Sequence, residues 1–354
     1  MRFICFSSGA QPRYRDDIIR AMAMPAGCEL TFRYRLKYVA HGIREHLKTK
    51  GIDPSDQVLI CYLDQSDRTK AVDYIPIRFA TLIEAPVIGD FVVLRMRVQQ
   101  FAFTEDVNVF SQEVQVCSAA VPKWAANSDS PYATGDFWVE VNDYPKSVLP
   151  SMSISDWQIT VGKLLNRKDF ATTGPFYQVI GLQDLKSKAS LEMVGGQFTL
   201  QPGREYELMI DHFLPREDAG GFQLETALSG GGLTFITGST IQIDSPYDRH
   251  WVRFRTQEPL KDERAVITVN KKAKGEDPAV QFDLPISVAG RLRRTILAGL
   301  FVGVLLAIPQ ITTAWINPGF TDRSLSWFLG LSTFIAFFNL AVGVAAALNF
   351  RKPI

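Results

Sequence analysis

The sequence predicts a mainly β protein in three parts. These are a β-rich cytosolic domain with short helices over residues 1–190, an immunoglobulin-like β-sandwich over 191–290, and a two-helix transmembrane hairpin over 291–354. Three observations carry this reading. Residues Glu29 to Val39 alternate cleanly between apolar and polar, and period two marks a strand with one buried face. From about Leu191, short strands recur between turn residues, as in all-β sandwiches with strands every ~8–12 residues. The last 60 residues hold two long apolar runs without a charge.

The N-terminus, MRFICFSSGAQPRYRDD, opens on a five-residue apolar stretch and then turns charged. A secretory signal needs an apolar region of roughly 7–15 residues, so the residues before the hairpin are expected to stay in the cytosol. Asp16 to Met24 reads as a short helix stopped by Pro25. In the alternating segment, Leu30, Phe32, Tyr34, Leu36 and Tyr38 fall on one face, and Thr31, Arg33, Arg35 and Lys37 on the other. His41 to Lys50 reads as a helix ended by Gly51. Val58–Leu63, Ile75–Ile83 and Phe91–Val98 read as strands, the last two joined at Pro86 and Gly89-Asp90 as a hairpin. Val121 to Ser153 mixes Pro, Ser and Asn with scattered aromatics and suggests a long loop or irregular strands. Asp156 to Asn166 carries Trp157, Val161, Leu164 and Leu165 at helical spacing.

The sandwich strands follow: two around Pro202-Gly203, then 221–226, 233–243, 250–256, 264–270 and 280–288. The antibody Cys–Trp–Cys pattern is absent, so only the architecture is implied. Beyond it lie the spans, about 295–316 and 326–349, each near the ~20 residues that cross a bilayer. Arg291, Arg293 and Arg294 before them and Arg351 and Lys352 after them place both termini on the cytoplasmic side of an inner or plasma membrane. Gly299 and Gly303 form GxxxG, and Gly343 and Ala347 repeat small residues in the second span. With Asn339 they are candidates for helix packing, within one hairpin or between subunits.

Charge bounds the function. The chain has 38 Lys+Arg and 37 Asp+Glu, a balance that argues against general nucleic-acid binding. By region the balance breaks. Residues 1–50 hold ten basic and four acidic side chains, net +6, and residues 51–150 hold seven and fourteen, net −7. Arg33, Arg35 and Lys37 project from one strand face, and Arg95 and Arg97 repeat the alternation on another. If those strands are neighbours, the five cations form a surface for a phosphate-bearing small molecule, an anionic headgroup or an acidic protein. The competing reading is that they pair with the acidic half of the same domain.

Catalytic chemistry finds no clear motif. His41 and His46 are five apart, not the four of a zinc helix. Asp211-His212 and Asp248-Arg249-His250 lie among strands without a nucleophile motif. Ser229 to Gly232 reads as a hairpin turn, and Asp64 and Asp67 as a turn. No enzyme activity, cofactor or metal is expected. Cys5, Cys28, Cys61 and Cys117 are well separated and read as free thiols.

The function expected from sequence is a membrane-anchored cytosolic recognition or effector protein. It would bind an anionic ligand or partner and assemble as a homo-oligomer or membrane complex in the bilayer. In arrangement only, this resembles membrane effectors of bacterial defence and stress systems. The alternative is a structural scaffold that tethers a larger complex to the membrane.

Overall fold

The computed structural model describes residues 1–49, 53, 56–65, 67, 70–118, 120–124, 132–171, 173–214, 222–259, 261–273, 280–290, 331–332, 334–335 and 338–339. Its first layer is a sheet built on β1 (Arg2–Ser8), β2 (Glu29–Arg35), β3 (Gln57–Asp64), β4 (Asp73–Glu84), β5 (Val87–Ile88), β6 (Phe91–Phe103), β7 (Trp138–Val141) and β8 (Leu149–Ser151). The main order is β2-β6-β4-β3-β1-β7, with β5 and β8 attached to β6. β1 runs parallel to β3; the other pairings in this sheet are antiparallel.

The short apolar start of the chain is thus a central strand. Phe3 to Phe6 and Val58 to Leu63 are continuous buried runs, the pattern of strands covered on both faces. One face of the pair, with Phe3, Cys5, Val58, Ile60 and Tyr62, packs on α1 (Pro12–Ala23) and α4 (Ile154–Leu165). The opposite face, with Ile4, Phe6, Leu59, Cys61 and Leu63, packs with Phe110 and Val114 of α3 (Val107–Cys117). Asp106 caps α3 by accepting from the backbone N–H groups of Asn108 and Val109. Sequence reasoning left both β1 and α3 unread. The segment 121–153 supplies β7 and β8.

The sheet curls until its two edges meet. Past β2, a 3-10 turn over Leu36–Tyr38 leads to α2 (His41–Thr49). In between, Val39 bridges Trp138, Phe137 N–H donates to Tyr38 O at 2.7 Å, and Ala40 N–H donates to Trp138 O at 3.0 Å. This joins the β2 edge to the β7 edge. Inside the seam, Tyr34 OH donates to Phe6 O at 3.0 Å.

The second layer is a two-sheet sandwich. One sheet contains β9 (Phe176–Asp184), β10 (Ser190–Leu191), β13 (Glu205–Phe213), β15 (Leu233–Thr237) and β17 (Tyr247–Thr256). The other contains β11 (Met193–Val194), β12 (Gln197–Leu200), β14 (Phe222–Gly230), β16 (Thr240–Ile243), β18 (Glu263–Ala273) and β19 (Val280–Val288). The sandwich therefore begins ahead of residue 191, because β9 hydrogen-bonds to β13. Tyr177 of β9 stacks on Phe282 of β19 across the two sheets, ring centres 5.3 Å apart.

Helix α1 lies where the layers meet, and one apolar core runs through the junction. Arg20 Nε donates to Gln281 O at 3.0 Å, and Trp157 Nε1 donates to Met22 O at 3.1 Å. At the other side, buried Arg78 donates to the Ala21 and Met24 carbonyls and to Gln99 O. It satisfies the open carbonyls at the end of α1. Burial lowers its pKa to about 9.

The transmembrane hairpin is corrected. Among the described residues, no helix is long and apolar enough to cross a membrane. Helical positions are described at Leu331, Ser332, Phe334, Ile335, Phe338 and Asn339. Most of both expected spans lies outside the described residues, including Gly299, Gly303, Gly343 and Ala347. Asn339 is exposed, and Phe334 stacks on Phe338. The fold class stands as mainly β without the hairpin, and the two-span membrane localisation falls with it.

Candidate anion-binding site

The seam leaves a cavity of about 400 Å³. Its walls come from the end of β1 (Phe6, Ser7, Ser8), the first turn of α1, the end of β2, and the loops that carry Gln65, Tyr132 and Phe137. Cavities of ~300–1,000 Å³ at the carboxyl ends of parallel strands are common ligand sites.

The local sequence builds this mouth. After β1 the chain turns at Ser8 to Gln11 and enters α1 with Pro12 at its first position, where the missing N–H is no loss. Ser8 Oγ accepts from Ala10 N–H at 3.4 Å, and Ser7 Oγ donates to Tyr14 O at 2.9 Å. Gly9 permits a close approach from the 3-10 turn Lys168–Phe170 that follows α4. A Cβ there would stand 1.8 Å from Asp169 Oδ2, the same carboxylate that accepts from Tyr62 OH at 2.6 Å. No acidic residue lies in the first turn of α1, and Gln11 makes no side-chain cap. The positive end of the helix therefore opens toward the cavity without an internal counter-charge in that turn.

Three guanidinium groups share that side. Arg13 Nη2 donates to Arg33 O at 3.4 Å and its side chain lies over Tyr14. Arg33 stacks on Phe91 at 3.7 Å from the ring centre, with Arg35 at 5.8 Å from the same ring. Among the described residues, neither Arg33 nor Arg35 is ion-paired.

The five cations expected on one face are thus divided. β2 and β6 are indeed neighbours, and their register sets Glu29 opposite Arg97 and Thr31 opposite Arg95. Glu29 meets Arg95 at 3.2 Å and Arg97 at 3.3 Å, and Glu84 meets Arg95 at 2.6 Å. At the other end of the same face, Arg33 lies opposite Val93 and Arg35 opposite Phe91, and both reach the cavity. Lys37 sits in the 3-10 turn over the Tyr38 ring and does not line the cavity. Sequence reasoning missed Tyr34, Tyr38, Gln65, Phe91 and Phe137 as lining residues. The signal available for the mouth was a buried apolar run ending in Ser-Ser-Gly and followed by Pro at a helix start.

The sandwich brings its two Asp-His segments together. His212 Nδ1 lies 2.7 Å from His250 Nε2, and His212 Nε2 lies 2.7 Å from Ser245 O. With Nε2–H donating to that carbonyl, His212 Nδ1 accepts from His250. Burial, then the neighbouring His212, holds the His250 pKa below its ordinary value. Asp211 is fully buried and takes both Nε and Nη2 of Arg249, at 2.6 and 2.8 Å. Among the described residues, no three His, Cys, Asp or Glu are grouped to hold a metal ion.

No family model matches the chain, and no curated protein matches it. Solved structures with local likeness include the CsuC–CsuE chaperone–tip adhesion subunit pre-assembly complex of Acinetobacter baumannii, at 8% identity and a TM-score of 0.20 over 26% of this chain. The match spans 53% of that chain, about half its length. The D0–D1 domain of intimin shares 10% identity at a TM-score of 0.20, covering 63% of this chain and 92% of its own. The alpha-2-macroglobulin of E. coli shares 11% identity at a TM-score of 0.21, covering 68% of this chain and 17% of its own.

Proposed function

We propose that the protein is a recognition module whose first domain binds a small anion in the seam cavity. The observation that carries this is one wall holding Arg13, Arg33 and Arg35, with no ion pair to Arg33 or Arg35 among the described residues. Guanidinium groups match phosphate oxygens bidentately, and the helix N-terminus adds to the same potential. Phe91 braces the Arg33 side chain and lowers the entropy lost on binding. The role of this reading is capture rather than catalysis. Among the described residues, no nucleophile–base pair lines the cavity: its hydroxyls include Ser7, committed to Tyr14 O, and Tyr34, committed to Phe6 O.

Calorimetric titration of the full chain with inorganic pyrophosphate tests this. Binding should be saturable, weaken with salt, and fall at least tenfold in Arg33→Glu. Arg97→Glu, on the same face but outside the cavity, should change it far less. Absence of pyrophosphate binding, or equal loss in both variants, would sink the reading.

A further inference from the structure

The cavity has two unlike walls, and their difference specifies more than an anion. On the β2–β6 side stand Arg33 and Arg35 over Phe91, with Arg13 of α1 reaching Arg33 O. On the side of β7 and the end of β3 stand Tyr38, Phe137 and Gln65. Tyr38 and Phe137 pack edge to face, ring centres 5.5 Å apart. Gln65 Oε1 accepts from Ala133 N–H at 2.8 Å, so the amide presents its NH2 group as a donor. An inorganic anion satisfies the first wall and leaves the second unused.

We infer that the ligand is a nucleoside phosphate: its phosphates on the arginine wall, its base against the Tyr38–Phe137 pair, with a base acceptor facing the Gln65 amide. The inference rests on the anion reading above. A flat heteroaromatic ring gains stacking and buried area against Tyr and Phe, and hydrogen-bond acceptors on its edge meet the fixed donor. The polyanionic tail answers a wall of three cations. A sugar phosphate lacks the ring, and an aromatic carboxylate lacks the second and third negative charges.

The test titrates the full chain with pyrophosphate, with ADP, GDP, CDP and UDP, and with the four nucleosides. At least one diphosphate should bind tenfold or more tighter than pyrophosphate, while every nucleoside alone binds more weakly than either. Tyr38→Leu should bring that diphosphate to the affinity of pyrophosphate and leave pyrophosphate unchanged. Gln65→Leu should reduce discrimination among the four bases. If pyrophosphate binds and no diphosphate binds tighter, the nucleotide inference fails while the anion reading stands. If neither binds, the anion reading has failed first. If Tyr38→Leu weakens pyrophosphate and the diphosphate equally, the base is not on that wall, and the inference is overturned.

Discussion

Two strand pairs carry the same alternation of arginines and use it differently. On the β13–β17 pair, each cation stands opposite a carboxylate: Glu205 opposite Arg255, Glu207 opposite Arg253, Asp211 opposite Arg249. All three pairs close, at 2.7, 2.7 and 2.6 Å. On the β2–β6 pair only one end closes, on Glu29 and Glu84, and Arg33 and Arg35 face apolar residues. The first pair carries three arginines against four carboxylates, the second four arginines against one. The supply of carboxylates and their cross-strand register together decide whether a strand-face arginine belongs to the scaffold or is available to a ligand.

The largest break in this comparison is expected at Asp211. Its carboxylate is fully buried and depends on the Arg249 fork, with Tyr247 OH farther off at 3.4 Å. Arg249→Met should leave that group under-satisfied and cost about 2–3 kcal/mol, discounted because Arg249 itself is part-exposed. Adding Asp211→Leu should recover most of the loss. Urea denaturation of the single and double variants measures both steps. An unchanged midpoint in Arg249→Met would show that the ladder does not stabilise the sandwich.

The junction between the layers is a third environment, with charges neither well paired nor in water. Burial raises Asp17 of α1 to about 7, against the opposing pull of Arg20 and Arg13. Burial, then nearby Arg15, lowers Lys271 of β18 to about 7, and Lys271 donates to Thr173 O. The signs work in opposite directions. Unfolded Asp17 releases its proton at lower pH than folded Asp17, so its contribution to stability falls as pH rises from about 4 to 7. Unfolded Lys271 holds its proton to higher pH, so stability rises from pH 7 to about 10. Together they place a stability minimum near pH 7, each limb sloping by up to about 1.4 kcal/mol per pH unit. Asp17→Asn should flatten the acid limb and Lys271→Met the basic limb, read from urea midpoints across pH. Parallel profiles in wild type and both variants would refute the assignment.

These three environments were unequally legible in the sequence. The alternation of β2 was plain from Leu30, Phe32 and Tyr34, which are buried as expected, because period two is a local signal. β1 was not, because a short apolar run looks the same in a core strand and in any other buried segment. α3 carries four valines among eleven residues, a composition closer to strand than helix, and tertiary packing overrides it. The cavity was half legible. Its arginines followed from alternation, but Tyr38 and Phe137 meet across about a hundred positions of chain, a contact that no periodicity encodes. The C-terminal runs gave hydropathy alone, which carries no information about contacts.

The smallest effects sharpen the comparison most, because they separate stability from binding on a single strand face. Arg95→Gln with Arg97→Gln removes exposed ion pairs to Glu29 and Glu84, whose individual worth is about 0.2–1 kcal/mol. Arg33→Gln with Arg35→Gln removes no ion pair among the described residues and gives up part of a stack on Phe91, about 0.5–1 kcal/mol at an exposed site. Stability should therefore change by similar small amounts in both double variants, within about 1 kcal/mol of each other. Pyrophosphate affinity should not: the Arg33/Arg35 pair loses tenfold or more, and the Arg95/Arg97 pair stays within threefold. The physical ground is distance and prior commitment, since Arg95 and Arg97 are held by carboxylates that an incoming anion would have to displace. Equal losses of affinity in the two variants would mean that the face acts as one diffuse field, and register would lose its role in sorting scaffold from site.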